Sequence, residues 1–212
     1  MKKNILSTAA AAIVALAGIV FIGCTTTSHN GPECVLMGDS ITEQWLAKRP
    51  EFFTDNGFEG AGISGQVTAQ ILGRFDEDVV ARDPKAVSIL CGINDIAQNQ
   101  GYVSNEDIAK NIAAMIDKAK AAKIRVILWS VLPSDVLCWK RDIDPAPLVK
   151  DLNAKLKALA EEKKVTYVDF YSRYVTETGG LPADLTTDGV HVTAACYEIM
   201  EKTLLDTLAG KH

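Results

Sequence analysis

The stretch CVLMGDSITEQW, residues 34–45, changes from apolar to polar residues at Gly38, and Ser40 stands just after the change. An apolar run of strand length predicts a buried strand over residues 34–37. Residues 41–48 then have a helical pattern. Ser40 therefore lies where a strand becomes a helix, and its hydroxyl either caps the helix or takes part in chemistry.

The same alternation of short apolar runs and helical patterns continues along the chain. Strands separated by helices favour a parallel sheet that is covered on both faces, so we predict an α/β fold, a three-layer αβα sandwich. Thr193 is the expected N-cap of the last helix. The predicted strands are residues 34–37, 58–61, 86–91, 125–129 and 166–169, and the predicted helices are residues 41–48, 68–80, 105–122, 146–164 and 194–208.

The amino-terminal segment has the pattern of an export signal. Lys2 and Lys3 precede an uncharged apolar run over residues 5–23 that ends at Cys24. The sequence VFIGC resembles a bacterial lipobox, in which the cysteine becomes the lipid-modified first residue, although Phe21 stands where that pattern usually has leucine. We expect a signal peptide over residues 1–23, a lipid anchor and linker over residues 24–32, and one domain over residues 33–212. Ordinary signal-peptidase cleavage and an uncleaved membrane anchor are the alternatives.

The charge balance argues against a nucleic-acid partner. Removing residues 1–23 takes away two lysines, which leaves 20 basic against 27 acidic side chains and a formal charge of −7. Phosphate binding needs a basic patch, so nucleic acid is not an expected partner. The remaining cysteines have no metal-binding spacing, and Cys91 and Cys196 are expected to be buried free thiols, with a disulfide as the alternative in an oxidising compartment.

Polar, glycine-rich segments follow the first three predicted strands. They are Gly38-Asp39-Ser40, then the stretch over residues 62–65, then the stretch over residues 92–95. Ligands of open parallel sheets bind at the carboxyl ends of the strands, so these segments are expected to meet at one site.

A reactive serine needs a base, and the candidate bases are few. Of the three histidines, only His191 lies inside the predicted fold, because His29 is in the linker and His212 is the last residue. Asp188 precedes His191 by three residues and can accept its Nδ1 proton. Ser40, Asp188 and His191 are thus the candidate triad, and the Ser40 amide, Gly65 and Asn94 are candidate donors to an oxyanion.

Four blocks of sequence resemble, in order and spacing, those of the SGNH (GDSL-type) hydrolases. They are GDSIT, GAGISGQ, GIND and DGVH, and the resemblance covers residues 34–208. It implies a serine esterase with a flavodoxin-like sandwich and no cofactor or metal. Ser40 would be the nucleophile, with Gly65, Asn94 and the Ser40 amide as oxyanion hole and Asp188 and His191 as acid and base. Asp39 and Asp95 would be structural supports.

Two departures from the family pattern bear on the walls of the site. Ile93 replaces the threonine common in GTND, and HVT replaces the more usual HPN after the histidine. Neither change removes a reacting group. Trp139, in the loop over residues 130–147, and Trp45 are hypothesised to form an aromatic wall for substrate, with packing in the core as the alternative for both.

The expected substrates are short acyl esters, because the compact chain leaves no room for a lid domain. With the export signal, O-acetylated glycans outside the cytoplasm are the leading expectation, and the membrane would be contacted only through the lipid on Cys24. Acyl thioesters, lysophospholipids and a non-catalytic glycan-binding role on the same fold are the alternatives.

Overall fold

The fold is described from a computed structural model of the chain, over residues 28–211. The predicted signal peptide, Cys24 and His212 lie outside the described residues. Within residues 28–211 no helix is long and apolar enough to cross a membrane.

One five-stranded sheet forms the centre of the molecule, and all its neighbouring strands are parallel. The strand order is β2-β1-β3-β4-β5, so the chain first goes to one edge and then crosses back over β1. The predicted α/β fold class is confirmed, and the order is that of flavodoxin-like sheets. The strands are β1 (Cys34–Gly38), β2 (Phe58–Gly62), β3 (Ala86–Leu90), β4 (Arg125–Trp129) and β5 (Thr166–Val168).

Helices cover both faces of this sheet. Each of the five predicted helices has an observed counterpart, and Thr193 caps the last one, since its hydroxyl accepts a hydrogen bond from the Cys196 amide at 3.3 Å. The helices are α1 (Ser40–Lys48), α2 (Pro50–Asn56), α3 (Thr68–Gly73), α4 (Phe75–Asp78), α5 (Ile93–Ile96), α6 (Asn105–Ala121), α7 (Pro145–Lys163), α8 (Tyr171–Tyr174) and α9 (Ala194–Leu208).

Alternate residues of each strand face two separate cores. Val35 and Met37 of β1 point to the side covered by α3, α6 and α7. Cys34 and Leu36 point to the opposite side, which is covered by α1, α2 and α9. The inner strands β1, β3 and β4 are almost entirely buried and apolar, which made them recognisable in the sequence, whereas the edge strand β2 carries the exposed Glu59.

The helix predicted over residues 68–80 is wrong in its extent, because it breaks at Arg74. Gly73 weakens the helix there, and Arg74 leaves the helical conformation with φ −107° and ψ 3°. The Arg74 guanidinium donates hydrogen bonds to the carbonyl oxygens of Gly38 and Ala61, both at 2.9 Å. The break therefore lets one side chain bond to backbone carbonyl oxygens near the carboxyl ends of both β1 and β2.

Helix α2 was not predicted, although its ends carry recognisable signals. Pro50 is its first residue, and Gly57 ends it in the left-handed conformation with φ +64°. Proline at the start and glycine just past the end are the usual signals of a short helix. Phe52 and Phe53 on this helix join the core on the α1 side of the sheet.

The last residues of the predicted linker pack against the domain at the amino ends of the strands. His29 Nδ1 lies 2.6 Å from Asp83 Oδ1, and its Nε2 lies 3.1 Å from the Lys123 carbonyl oxygen. The amides of Asn30 and Gly31 also donate to Asp83. The chain is thus fixed to the domain from residue 29 onward.

Candidate active site

The polar segments predicted to meet do come together at the carboxyl ends of β1, β2 and β3. Gly38 pairs with Gly62 and with Leu90 in the parallel register, so the three strands end level with one another. The loop after β2 is tied back to β1 by a hydrogen bond from the Ile63 amide to the Gly38 carbonyl oxygen at 3.3 Å.

Ser40, His191 and Asp188 form a continuous chain of hydrogen bonds across this edge. Ser40 Oγ lies 3.0 Å from His191 Nε2, although the residues are 151 positions apart. His191 Nδ1 lies 2.7 Å from Asp188 Oδ2. A carboxylate only accepts, so the Nδ1 proton points to Asp188 and Nε2 is left to accept from the Ser40 hydroxyl.

The loop before α9 holds Asp188 in this orientation. Asp188 Oδ1 accepts hydrogen bonds from the amides of Val190 and His191 at 2.9 and 2.7 Å, while Oδ2 faces the imidazole. Burial acts to raise the pKa of Asp188, but the hydrogen bonds from His191 and Val190 outweigh it and lower that pKa below its usual value. The carboxylate therefore stays charged beside the ring.

Asp39, and not Ser40, is the N-cap of α1. Its Oδ1 accepts from the Ile41 amide at 3.1 Å, which leaves the Ser40 hydroxyl free to contact His191. Ser40 is 7% exposed. The alternative that Ser40 merely caps the helix is therefore wrong. Asp39 caps α1, and the Ser40 hydroxyl contacts His191.

Three of the N–H groups predicted to donate to an oxyanion have free donor capacity at this sheet edge. Within the described residues, the amides of Ser40 and Gly65 have no hydrogen-bond acceptor, and Asn94 Nδ2 uses one of its two protons on the Gln66 carbonyl oxygen at 3.0 Å. Gly65 has φ +77°, and a Cβ there would meet nothing within 4 Å. Glycine is needed at this position for its backbone conformation and not for space.

The loop that carries Gly65 is held from two sides. Glu43 of α1 accepts hydrogen bonds from the amide and the hydroxyl of Ser64. Asp95 accepts from the amide and hydroxyl of Thr68, the hydroxyl at 2.6 Å. Burial raises the pKa of Asp95 above its usual value even though these bonds lower it. Asp95 therefore links the loop after β3 to the loop after β2, a supporting position.

Asn99 is a residue of this site that the sequence analysis missed. Its Nδ2 donates to Asn94 Oδ1 at 2.9 Å and to the Gly65 carbonyl oxygen at 3.3 Å. Its Oδ1 accepts from the indole N–H of Trp139 at 3.1 Å. No motif marks Asn99, and its partner Trp139 is 40 positions away, so only the folded structure reveals the contact.

Trp139 lies at the mouth of the site. Trp45 and Ile93, which were also predicted to line the substrate site, do not. Trp139 is 45% exposed, and its ring centroid is 6.3 Å from that of His191. Trp45 is 2% exposed and stacks on Phe52 in the core, so its proposed contact with substrate is wrong. Ile93 is 3% exposed and packs in the core on the other face of the sheet, so it lines only the small cavity beside Asp39 and offers substrate no exposed surface.

A small cavity of about 10 Å³ lies beside Ser40, lined in part by Asp39, Cys91 and Ile93. Asp39 Oδ2 is buried and has no hydrogen-bond partner among the described residues. Burial raises the pKa of Asp39 to about 7, although the bond from the Ile41 amide and the nearby His191 act to lower it. This carboxyl group is thus the most poorly solvated acid near Ser40.

The four described cysteines are free thiols. Cys91 and Cys196 are buried, as expected from the sequence. Cys138, next to Trp139, is exposed, and its Sγ lies 3.0 Å from the Asp188 carbonyl oxygen. It therefore lies on the surface close to the loop that carries Asp188 and His191.

Residues 36–199 match the model of the GDSL-like lipase/acylhydrolase family. This match covers most of the chain, from β1 into α9. The chain belongs to the GDSL-like lipase/acylhydrolase family. It is therefore an acylhydrolase, an enzyme of the class that cleaves carboxylic esters, and the SGNH resemblance drawn from the four sequence blocks is confirmed.

Solved structures and relatives of this acylhydrolase agree with that assignment. A GDSL-like lipase from Bacteroides thetaiotaomicron VPI-5482 is 42% identical with a TM-score of 0.81, over 84% of this chain and 88% of that one. An acetylxylan esterase from Geobacillus stearothermophilus is 26% identical over 209 residues, which cover 83% of this chain and 93% of the relative. The lipoprotein YqeF of Bacillus subtilis (strain 168) is 33% identical over 76 residues, 34% of this chain and 31% of the relative.

Proposed function

We propose that this acylhydrolase removes short acyl groups, acetyl above all, from glycan esters outside the cytoplasm through an acyl-enzyme on Ser40. The observation that carries the proposal is the hydrogen-bonded chain Ser40–His191–Asp188, with distances of 3.0 and 2.7 Å. A serine hydroxyl beside an oriented imidazole is the arrangement that covalent ester hydrolysis requires.

The proposed reaction follows from the proton positions at these three side chains. His191 Nε2 takes the proton of Ser40 as Oγ attacks the ester carbonyl carbon, and Asp188 stabilises the imidazolium that forms. The negative oxygen of the tetrahedral intermediate accepts from the Ser40 and Gly65 amides and from Asn94 Nδ2. His191 then gives its proton to the leaving alcohol and afterwards removes one from the water that releases the acid.

Acetylated glycans are the substrate class that two observations favour. The relative from Geobacillus stearothermophilus that aligns over most of both chains is an acetylxylan esterase. Trp139 offers an exposed ring beside His191, and a flat aromatic face suits the apolar face of a sugar. The substrate contact of Trp139 is part of this proposal.

Anchoring by a lipid on Cys24 completes the proposed function. It is supported by the lipobox-like sequence VFIGC and by the partial similarity to a lipoprotein of Bacillus subtilis. Export would then follow from the signal over residues 1–23, and the enzyme would work at the membrane surface.

The nucleophile is tested with Ser40→Ala. Loss of the attacking oxygen should lower kcat for p-nitrophenyl acetate by about a thousandfold or more while the circular dichroism spectrum is kept. Ser172→Ala, in the short helix α8, is the control. Among the described residues the Ser172 hydroxyl bonds to Asp169 alone, so this variant should retain full activity. Activity of Ser40→Ala near the wild-type level would overturn the assignment.

The acyl group is tested by profiling esters from acetate to palmitate beside acetylated xylan. We expect kcat/KM to be highest for acetate and to fall as the acyl chain lengthens. A maximum at long chains would point to lysophospholipids, and preference for acyl thioesters would replace the glycan proposal.

A further inference from the structure

Asn99 lies in the turn after α5, where it contacts both of the proposed oxyanion donors that follow β2 and β3. Its backbone amide donates to the Asn94 carbonyl oxygen at 3.0 Å, which closes the turn. Its side-chain Nδ2 reaches Asn94 Oδ1 and the Gly65 carbonyl oxygen, and its Oδ1 meets the Trp139 indole.

The direction of these hydrogen bonds is determined by Trp139. An indole N–H can only donate, so the Asn99 atom that faces it must be the oxygen. Asn99 Nδ2 then faces Asn94, and the Asn94 atom that receives it must be Oδ1. Asn94 Nδ2 is consequently turned toward the Gln66 carbonyl oxygen, with its second proton available to the substrate.

An asparagine amide without such a constraint has two orientations of similar shape that exchange the oxygen and the nitrogen. In the reversed orientation, Asn94 Oδ1 would face the Gln66 carbonyl oxygen and the developing oxyanion. Two acceptors would then repel each other and the hole would lose a donor. The Gln66 carbonyl oxygen, which can only accept, disfavours that orientation, and the donor that Asn99 presents to Asn94 Oδ1 excludes it.

We propose that Asn99 is a positioning residue that sets the orientation of the Asn94 amide, and that Trp139 sets the orientation of Asn99. This inference rests on the proposed function, because it assigns Asn99 to the oxyanion hole of that reaction. Trp139 then has two separable parts. Its exposed ring borders the substrate, and its N–H orders the amides behind it.

The test is Asn99→Asp, a change of nearly equal shape. An aspartate can still accept from the Trp139 indole, but it cannot donate to Asn94 Oδ1. The Asn94 amide would then face an acceptor on each side, the aspartate and the Gln66 carbonyl oxygen, and should lose its fixed orientation. We expect kcat for p-nitrophenyl acetate to fall by about tenfold or more, with KM changed by less than about threefold, because a donor to the transition state is lost and ground-state binding is not. Active sites are counted by titration with a p-nitrophenyl phosphonate, so misfolded protein does not enter kcat.

The deciding measurement repeats Asn99→Asp in an Asn94→Ala background. In Asn94→Ala the Asn94 amide is absent. If Asn99 acts through that amide, adding Asn99→Asp should have no further effect, and kcat should stay within about twofold of Asn94→Ala alone. Trp139→Phe, which keeps a ring but removes the N–H, should lower kcat by about three- to tenfold in the wild type and by no more than about twofold in Asn99→Asp.

Asn105→Asp is the matched control. Asn105 also uses its side-chain amide on protein acceptors, the Leu148 carbonyl oxygen and Asp151, but at the start of α6, where it has no hydrogen bond to Asn94, Gly65 or Trp139 among the described residues. Its kcat should equal that of the wild type.

Wild-type kcat in Asn99→Asp would overturn the inference, as would an equal fall in both backgrounds, which would place the effect at Gly65 or in general stability. These outcomes are distinct from failure of the proposed function, which would appear as retained activity in Ser40→Ala.

Discussion

At the scale of single residues, Asp39 combines two properties that oppose each other. It caps α1 with one carboxylate oxygen, and its other oxygen is buried without a partner among the described residues. Burial disfavours the charged form, which is why the pKa of Asp39 is raised to about 7. The acid beside the proposed nucleophile therefore changes its protonation near neutral pH.

A pH-dependent loss of stability is the expected consequence. An unfolded aspartate has a pKa of about 3.9, so between about pH 4 and pH 7 the folded state holds a proton that the unfolded state has released. The stabilising contribution is complete below about pH 4 and is lost as the pH rises through 7. Urea unfolding of the wild type and Asp39→Asn at several pH values should show the free energy of unfolding of the wild type falling relative to the variant over this interval.

Asp55→Asn, a change at an exposed carboxylate of α2, is the control for this series and should follow the wild type at every pH. Parallel curves for the wild type and Asp39→Asn would show that Asp39 ionises in the folded protein as easily as in the unfolded chain.

Residue exposure is the property that the sequence did not determine at this scale. Trp45 and Trp139 look alike as candidates for a substrate wall, yet one is stacked on Phe52 and the other lies beside His191. Asn99 was missed for a related reason, because its role depends on an indole that is distant in sequence. Ser40, Asp188 and His191, in contrast, belong to motifs whose spacing and strand-end placement predicted their meeting.

At the scale of elements, Arg74 joins the ends of two strands to the broken helix pair α3 and α4. Besides the carbonyl oxygens of Gly38 and Ala61, its guanidinium contacts Asp78 at 2.6 Å and the Gln66 side chain at 2.7 Å. A planar group with five donors can satisfy all four partners at once, which a lysine cannot. The sequence predicted a continuous helix here because the contacts of Arg74 with residues distant in sequence leave no mark in the local pattern.

We expect Arg74→Lys to destabilise the fold by about 2 to 3 kcal/mol, because the three donors of a lysine cannot serve all four partners and at least one partly buried acceptor is left unsatisfied. Arg82→Lys is the matched control, since Arg82 also contacts Asp78 at 2.6 Å, but its side chain is 32% exposed against 14% for Arg74. A partly exposed ion pair contributes little, so Arg82→Lys should cost less than about 1 kcal/mol. Urea unfolding of both variants tests the difference, and equal losses would refute the distinction.

The parallel strands and long helices were predictable from sequence, and the short helices were not. Strands that are buried on both faces appear in the sequence as apolar runs. Helices α6, α7 and α9 are long enough to show the helical period of their apolar residues. Helices α5 and α8 have four residues each and are stabilised by their surroundings, so no local pattern marks them.

At the scale of the whole molecule, the proposed lipid anchor gives a direct prediction. Cys24→Ala should move the protein from the detergent-extracted membrane fraction to the soluble fraction, because the acyl chains would have no attachment site. The kcat of the released enzyme should be unchanged, since residue 24 precedes the part of the chain that is fixed to the domain.

Cys138→Ser is the control for anchoring. Cys138 is an exposed thiol in the domain, so its loss should leave the protein in the membrane fraction. Membrane retention of Cys24→Ala would favour the uncleaved apolar segment over residues 5–23 as the anchor.

If Cys24 carries the proposed lipid, the attachment of His29 and Gly31 to Asp83 would orient the enzyme. Five residues span at most about 18 Å, so the lipid would keep the amino ends of the strands close to the bilayer. Ser40 lies at the other end of β1 and would then open away from the lipid headgroups. Polymers in the surrounding wall or medium would approach it unobstructed, whereas the anchoring phospholipids would lie behind it, out of reach.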